Sequence, residues 1–122
     1  MSISDAEARV MEVLWERSPR YAEEVVEALA SRMQWAEPTI KTLLNRLLNK
    51  GAVAAEKEGR RYRYTPLLAR DAWVSQQSEG LVQRLFGGRV APLVAHFSEQ
   101  GRLTEADIAE LRRLLEELSD GH

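Results

Sequence analysis

Seven cations fall between residues 38 and 66: Lys41, Arg46, Lys50, Lys57, Arg60, Arg61 and Arg63, against the carboxylates Glu56 and Glu58. The flanks are acidic. Residues 1–37 carry four basic and eight acidic side chains, residues 67–122 carry six and nine, and the formal net charge of the 122-residue chain is −2. Cations concentrated in one stretch of an acidic body confine polyanion binding to one surface. Thr39, Lys41, Thr42, Asn45 and Arg46 can hydrogen-bond to bases or phosphates; Arg suits guanine and Asn suits adenine. Arg60, Arg61 and Arg63 suit phosphate oxygens, which set affinity and register. Lys50 belongs to the same stripe. The chemistry this pattern offers is recognition of a DNA duplex.

Other chemistries find little support. The chain has no Cys, so disulfides and thiolate metal sites are excluded, and a reducing cytoplasm suits it. There is no HExxH motif and no phosphate-binding glycine loop; Gly87-Gly88 reads as a helix break. His96, beside Phe97 in an apolar segment, reads as a core or interface histidine. Trp15, Trp35 and Trp73 read as packing anchors, with base stacking by Trp35 as the alternative. No enzyme activity, cofactor or metal is expected. No apolar run approaches the ~18 residues of a membrane span. The start MSISDAEARV lacks the basic and apolar regions of a secretory signal. The expectation is a cytoplasmic protein without membrane insertion.

The elements that must position these residues follow from periodicity. Ser4 and Glu7 make a capping box, with Ile3 placed to staple onto Ala8. The first helix then buries Val10, Met11, Val13, Leu14 and Trp15, and Ser18-Pro19 stops it. Tyr21 is placed for a brief extended contact. A second helix over 22–33 buries Ala22, Val25, Val26, Leu29, Ala30 and Met33. Pro38 fits the first turn of a third helix whose stripe is Ile40, Leu43, Leu44, Leu47 and Leu48. Thr42 and Asn45 lie on its opposite face, and Lys50-Gly51 ends it. Two short strands, 52–57 and 62–65, flank a glycine-containing turn. Their alternation puts Tyr62 and Tyr64 on one face and Arg61, Arg63 and Thr65 on the other. RRYRY could also serve as a charged edge strand that resists aggregation. Three further helices follow, over about 69–86, 90–98 and from Thr104 onward, the last capped by Thr104 and Asp107.

Helix, helix, helix, strand, strand is the order of a winged helix-turn-helix, in which the third helix enters the major groove. The expected fold is therefore mainly α with a small β wing: a winged-helix DNA-binding domain, residues 1–67, and an α-helical dimerisation domain, residues 68–122. Three short helices have a poor ratio of core to surface. Their apolar residues Leu81, Leu85, Val94, Phe97, Ile108, Leu111, Leu114, Leu115 and Leu118 are accordingly expected to form a symmetric dimer interface. The competing reading is a winged-helix protein-interaction module without operator binding, which would need an apolar or acidic recognition face.

The segments ISDAEARVMEVLWERSP, EPTIKTLLNRLLNKGAV and EKEGRRYRYTPL, followed by QRLFGG and VAHFSEQGRLTEADIAELRRLLEEL, resemble the penicillinase-repressor (BlaI/MecI/CopY) family of transcriptional regulators over about residues 3–118. The resemblance implies a homodimeric repressor that binds an inverted-repeat DNA operator through the third helix and the wing. It also implies, for the β-lactam-responsive members, a membrane sensor protease that signals through to cleavage in the dimerisation domain. Those members are cut at an Asn-Phe bond in the segment matching Val94 to Ser98, where this chain has His96-Phe97. Copper-responsive members carry Cys-x-Cys pairs, so a thiolate copper switch is not expected here. Glu37, just before Pro38, suits a helix N-terminus, and near DNA it would repel phosphate or accept from a cytosine amine.

Overall fold

The computed structural model describes residues 1–121; the expected C-terminal end of the second domain, His122, lies outside the described residues. Two compact units divide at Val74/Ser75. In the first, α1 (Asp5–Glu16) starts from Ser4, whose hydroxyl accepts from the Glu7 N–H at 3.1 Å while the Ser4 N–H donates to the Glu7 carboxylate at 2.7 Å. Ile3 and Ala8 are both buried, as a hydrophobic staple requires. A two-residue strand β1 (Arg20–Tyr21) leads into α2 (Ala22–Met33), where the Tyr21 N–H donates to Glu24. Gln34 then turns the chain in the left-handed region, at φ 57°.

α3 (Glu37–Lys50) has Pro38 in its first turn, where a missing N–H costs nothing. Gly51, at φ 78°, ends it. The Gly51 N–H donates to Leu48 and the Ala52 N–H to Leu47, which satisfies carbonyls of the last turn. β2 (Val53–Glu58) and β3 (Arg61–Pro66) form the antiparallel wing, and the sheet order is β1-β3-β2. Each strand runs about one residue further into the turn than the spacing suggests. Gly59 supplies the positive φ, 63°, that lets two residues close the hairpin, so Glu58 pairs with Arg61.

The core lies where α1, α2, α3 and the sheet converge. Val10, Met11, Val13, Leu14, Val25, Leu29, Ile40, Leu44 and Leu47 are buried. Each such side chain stabilises the fold by about 1.5–3 kcal/mol relative to exposure. Two expected core residues face outward instead. Ala30 is exposed, while Ala28 packs against the core; Leu48 is exposed at the wing side of α3. The stripe is narrower than the run of leucines because a helix advances 100° per residue, and Leu48 lies at its edge. Trp15 donates through Nε1 to the Leu68 carbonyl at 2.9 Å and packs on Trp73 at 5.5 Å between ring centroids. These contacts hold the start of α4 (Arg70–Phe86) to the first unit, so the division falls inside α4 rather than at residue 67.

The second unit contains the rest of α4, α5 (Val90–Glu99) and α6 (Glu105–Asp120). Thr104 and Asp107 exchange the expected capping hydrogen bonds at 3.0 and 3.1 Å. Among the described residues, α4, α5 and α6 contain no buried side chain.

Candidate nucleic-acid interface

Burial of Ile40, Leu43, Leu44 and Leu47 fixes the rotation of α3 about its axis, and that rotation exposes Thr39, Lys41, Thr42, Asn45, Arg46 and Lys50. Thr42 donates from Oγ1 to the Pro38 carbonyl at 2.9 Å, leaving its lone pairs as acceptors. Lys41 pairs with Glu37 one turn earlier at 3.0 Å. Arg46 has no ion-pair partner among the described residues. Thr39, Thr42 and Arg46 line one flank of the helix. Lys41, Asn45 and Leu48 line the other, which faces the wing across a cleft completed by Arg60, Arg61, Tyr62 and Tyr64.

Lys50 is differently engaged. Its ammonium donates to the Glu7 carboxylate at 2.6 Å and to the Ser2 carbonyl at 3.1 Å. Glu7 is only 2% exposed. Burial opposes its charge, but the Lys50 ammonium and the Ser4 N–H and hydroxyl outweigh that penalty and hold the carboxyl below its ordinary pKa. Lys50 thereby ties the end of α3 to the start of α1.

The hairpin register sorts the wing side chains. Glu56, Glu58, Arg61 and Arg63 share one face, with cross-strand pairs Glu56↔Arg63 and Glu58↔Arg61; Ala55, Lys57, Tyr62 and buried Tyr64 share the other. Arg63 bonds to Glu56 at 3.1 Å and lies 3.5 Å from Glu58. The Glu56 hydrogen bond, with that charge, raises the arginine pKa further. Arg61 donates to Glu23 of α2 at 2.6 Å, and its guanidinium carbon lies 3.4 Å from the Tyr21 ring centre. The Tyr21 hydroxyl donates to Glu58 at 2.8 Å, and this bond is the first cause of its raised pKa. Lys57 and Arg60 have no ion-pair partner among the described residues. Spacing alone does not reveal Tyr21, Glu23 or Glu58 as partners of the wing arginines, because Glu23 lies 38 positions from Arg61. Lys57 was legible: a two-residue turn pairs it with Tyr62, on the face opposite Arg63.

In the second unit, Leu85, Leu115 and Leu118 are 63–67% exposed, and Leu81, Phe97, Ile108 and Leu114 are also open; Val94 and Leu111 are half-buried. Leu81, Leu85, His96 and Phe97 border an apolar hollow between α4 and α5. The His96 ring lies 6.2 Å from that of Phe86 and 6.0 Å from that of Phe97, and the His96-Phe97 bond is inside α5. No helix among the described residues is long and apolar enough to cross a membrane.

Comparison with known proteins agrees with this arrangement. The penicillinase repressor of Bacillus licheniformis is 37% identical over 115 residues, covering 94% of this chain and 90% of that one. The transcriptional regulator BlaI of Mycobacterium tuberculosis is 37% identical over 122 residues, covering 98% and 87%. The solution structure of monomeric Bacillus licheniformis BlaI in complex with the blaP half-operator superposes with a TM-score of 0.53 at 42% identity, over 59% of this chain and 88% of that one. The sequence model of the penicillinase repressor family matches residues 3–117, and the chain belongs to that family.

Proposed function

We propose that the protein is a transcriptional repressor that binds an inverted-repeat DNA operator as a homodimer. The observation that carries this reading is the exposed face of α3, polar and cationic and bordered by a basic wing, on a chain that is otherwise acidic. α3 enters the major groove, where Arg46 and Asn45 read base edges with Thr39, Lys41 and Thr42 beside them. Arg60 and Arg61 hold sugar–phosphate backbone, and Lys57 adds a cation on the face towards α3. Lys50 and Arg63, engaged with carboxylates, hold α3 and the wing in shape. The half-operator complex of the Bacillus licheniformis relative supports DNA as the partner.

The exposed leucines of α4 and α6 supply the dimer contact. A dimer sets two copies of α3 on half-sites one helical turn apart, about 34–36 Å. By family analogy the protein works in the cytoplasm with a membrane sensor protease as its upstream partner, and a proteolytic release step would fall at His96-Phe97, where this chain replaces the Asn of the cleaved Asn-Phe bond. The His96-Phe97 bond lies in a helix, so cleavage requires local opening of α5. Selection of duplexes from a randomised pool by the full chain, followed by mobility shifts at low salt, tests the reading. An enriched inverted repeat is expected; no duplex binding at low salt overturns it.

A further inference from the structure

Arg61 differs from its neighbour Arg60 in being held from two directions. Its Nε donates to a Glu23 carboxylate oxygen at 2.6 Å, and its guanidinium stacks on the Tyr21 ring at 3.4 Å. The ring is itself anchored. Tyr21 pairs with Arg63 in the sheet, and its hydroxyl donates to Glu58 at 2.8 Å. Stacking fixes the plane of the guanidinium, and a fixed plane presents its N–H fork in a set direction. Carboxylate and phosphate compete for the same fork, because both offer a pair of anionic oxygens at matching spacing. Both partners of the Arg61–Glu23 pair are at least half exposed, so an incoming phosphate can reach the donor edge that Glu23 occupies. Arg61 and Glu23 also line the cleft between α3 and the wing.

We propose that Glu23 is the internal occupant of a phosphate site formed by Arg61 on the Tyr21 ring, and that DNA binding exchanges this carboxylate for a backbone phosphate. The inference rests on the DNA-binding reading and deepens it by naming a residue that sets affinity without touching a base. Until the exchange, one wing cation is masked. After it, a carboxylate remains beside the DNA and offsets part of the new contact. Arg60, without such a partner among the described residues, contacts phosphate with no exchange.

The test uses the full chain and one duplex of fixed length and arbitrary sequence, with fluorescence anisotropy over a series of salt concentrations. Glu23→Gln is expected to tighten binding at low salt by about 3–10-fold, while the slope of log affinity against log salt changes by much less than about 0.9, one phosphate's worth, because Arg61 reaches phosphate in both proteins. Glu27→Gln removes the same charge elsewhere on α2 and is expected to have the smaller effect. Arg61→Gln weakens binding, and adding Glu23→Gln to it gains no more than Glu27→Gln does. Thermal melts of all variants check folding. Weaker binding by Glu23→Gln, a gain no larger than that of Glu27→Gln, an undiminished gain in the Arg61→Gln background, or a slope steepened by the full value of about 0.9, which would mean that Arg61 stays masked in the parent complex, overturns the exchange while leaving the DNA-binding reading intact. Absence of duplex binding by every variant overturns both.

Discussion

Arg46 and Arg60 carry the same charge, and their removal should read out differently. Arg46 is exposed on α3 beside Asn45; in the proposed complex a guanidinium there selects one base pair. Arg46→Ala is expected to cost about 1–3 kcal/mol on the preferred duplex and to relax preference at one position of each half-site. Arg60 sits in the wing turn, between the paired residues Glu58 and Arg61, and in the proposed complex it holds backbone phosphate. Arg60→Ala should weaken binding to all sequences alike and flatten the salt slope by about 1. Binding measured across single-base variants of the selected duplex separates the two: uniform loss for Arg46→Ala would remove its reading role. The residue types here were legible because charge and hydrogen-bonding capacity belong to the side chain itself. Their engagement was not. Lys50 and Arg63 look as free as Arg46 in the sequence, yet Glu7 and Glu56 hold them. Only tertiary packing brings Glu7 to Lys50, 43 positions away.

At the level of elements, the Glu7–Lys50 contact joins the first turn of α1 to the last turn of α3, and it carries a pH signature. The folded state holds the Glu7 carboxyl below its ordinary pKa. A group depressed in this way contributes stability above its unfolded pKa of about 4.3 and loses it as pH falls through the folded value. Glu7→Gln can still accept from the Ser4 N–H and so keeps the capping geometry while removing the charge. Melting temperatures followed from about pH 6 downward should fall less steeply for Glu7→Gln than for the parent chain below about pH 4.3. Identical slopes would mean that the pair contributes nothing. Helices and turns were read from the sequence with ends close to those observed, because caps, glycines and 3.6-residue periodicity act within one or two turns. Ser4-Glu7, Thr104-Asp107 and Gly51 are local devices of this kind. The cleft was not legible: Leu48 continues the leucine run but faces the wing, and only assembled strands and helices show that.

For the whole molecule, the decisive contrast is between a first unit with a buried core and helices α4 to α6 that bury no side chain among the described residues. Leu115 and Leu118, one turn apart on α6 and each 63% exposed, leave a substantial apolar stripe in water. Covering that stripe with a second copy satisfies it by symmetry, since the same patch serves both partners. Dimerisation would then govern affinity through effective concentration: the second half-site is engaged intramolecularly, which adds about 10²–10⁴ to the affinity of one copy. Leu115→Asp places a carboxylate in the stripe, where an unpaired charge cannot be buried. The variant is expected to sediment as a monomer and to lose most of its affinity for the full inverted repeat. Its affinity for an isolated half-site should stay unchanged, because α3 and the wing are untouched. Equal losses on half-site and full repeat would point instead to disruption of the fold. A monomeric parent chain at micromolar concentration would remove the dimer from the mechanism.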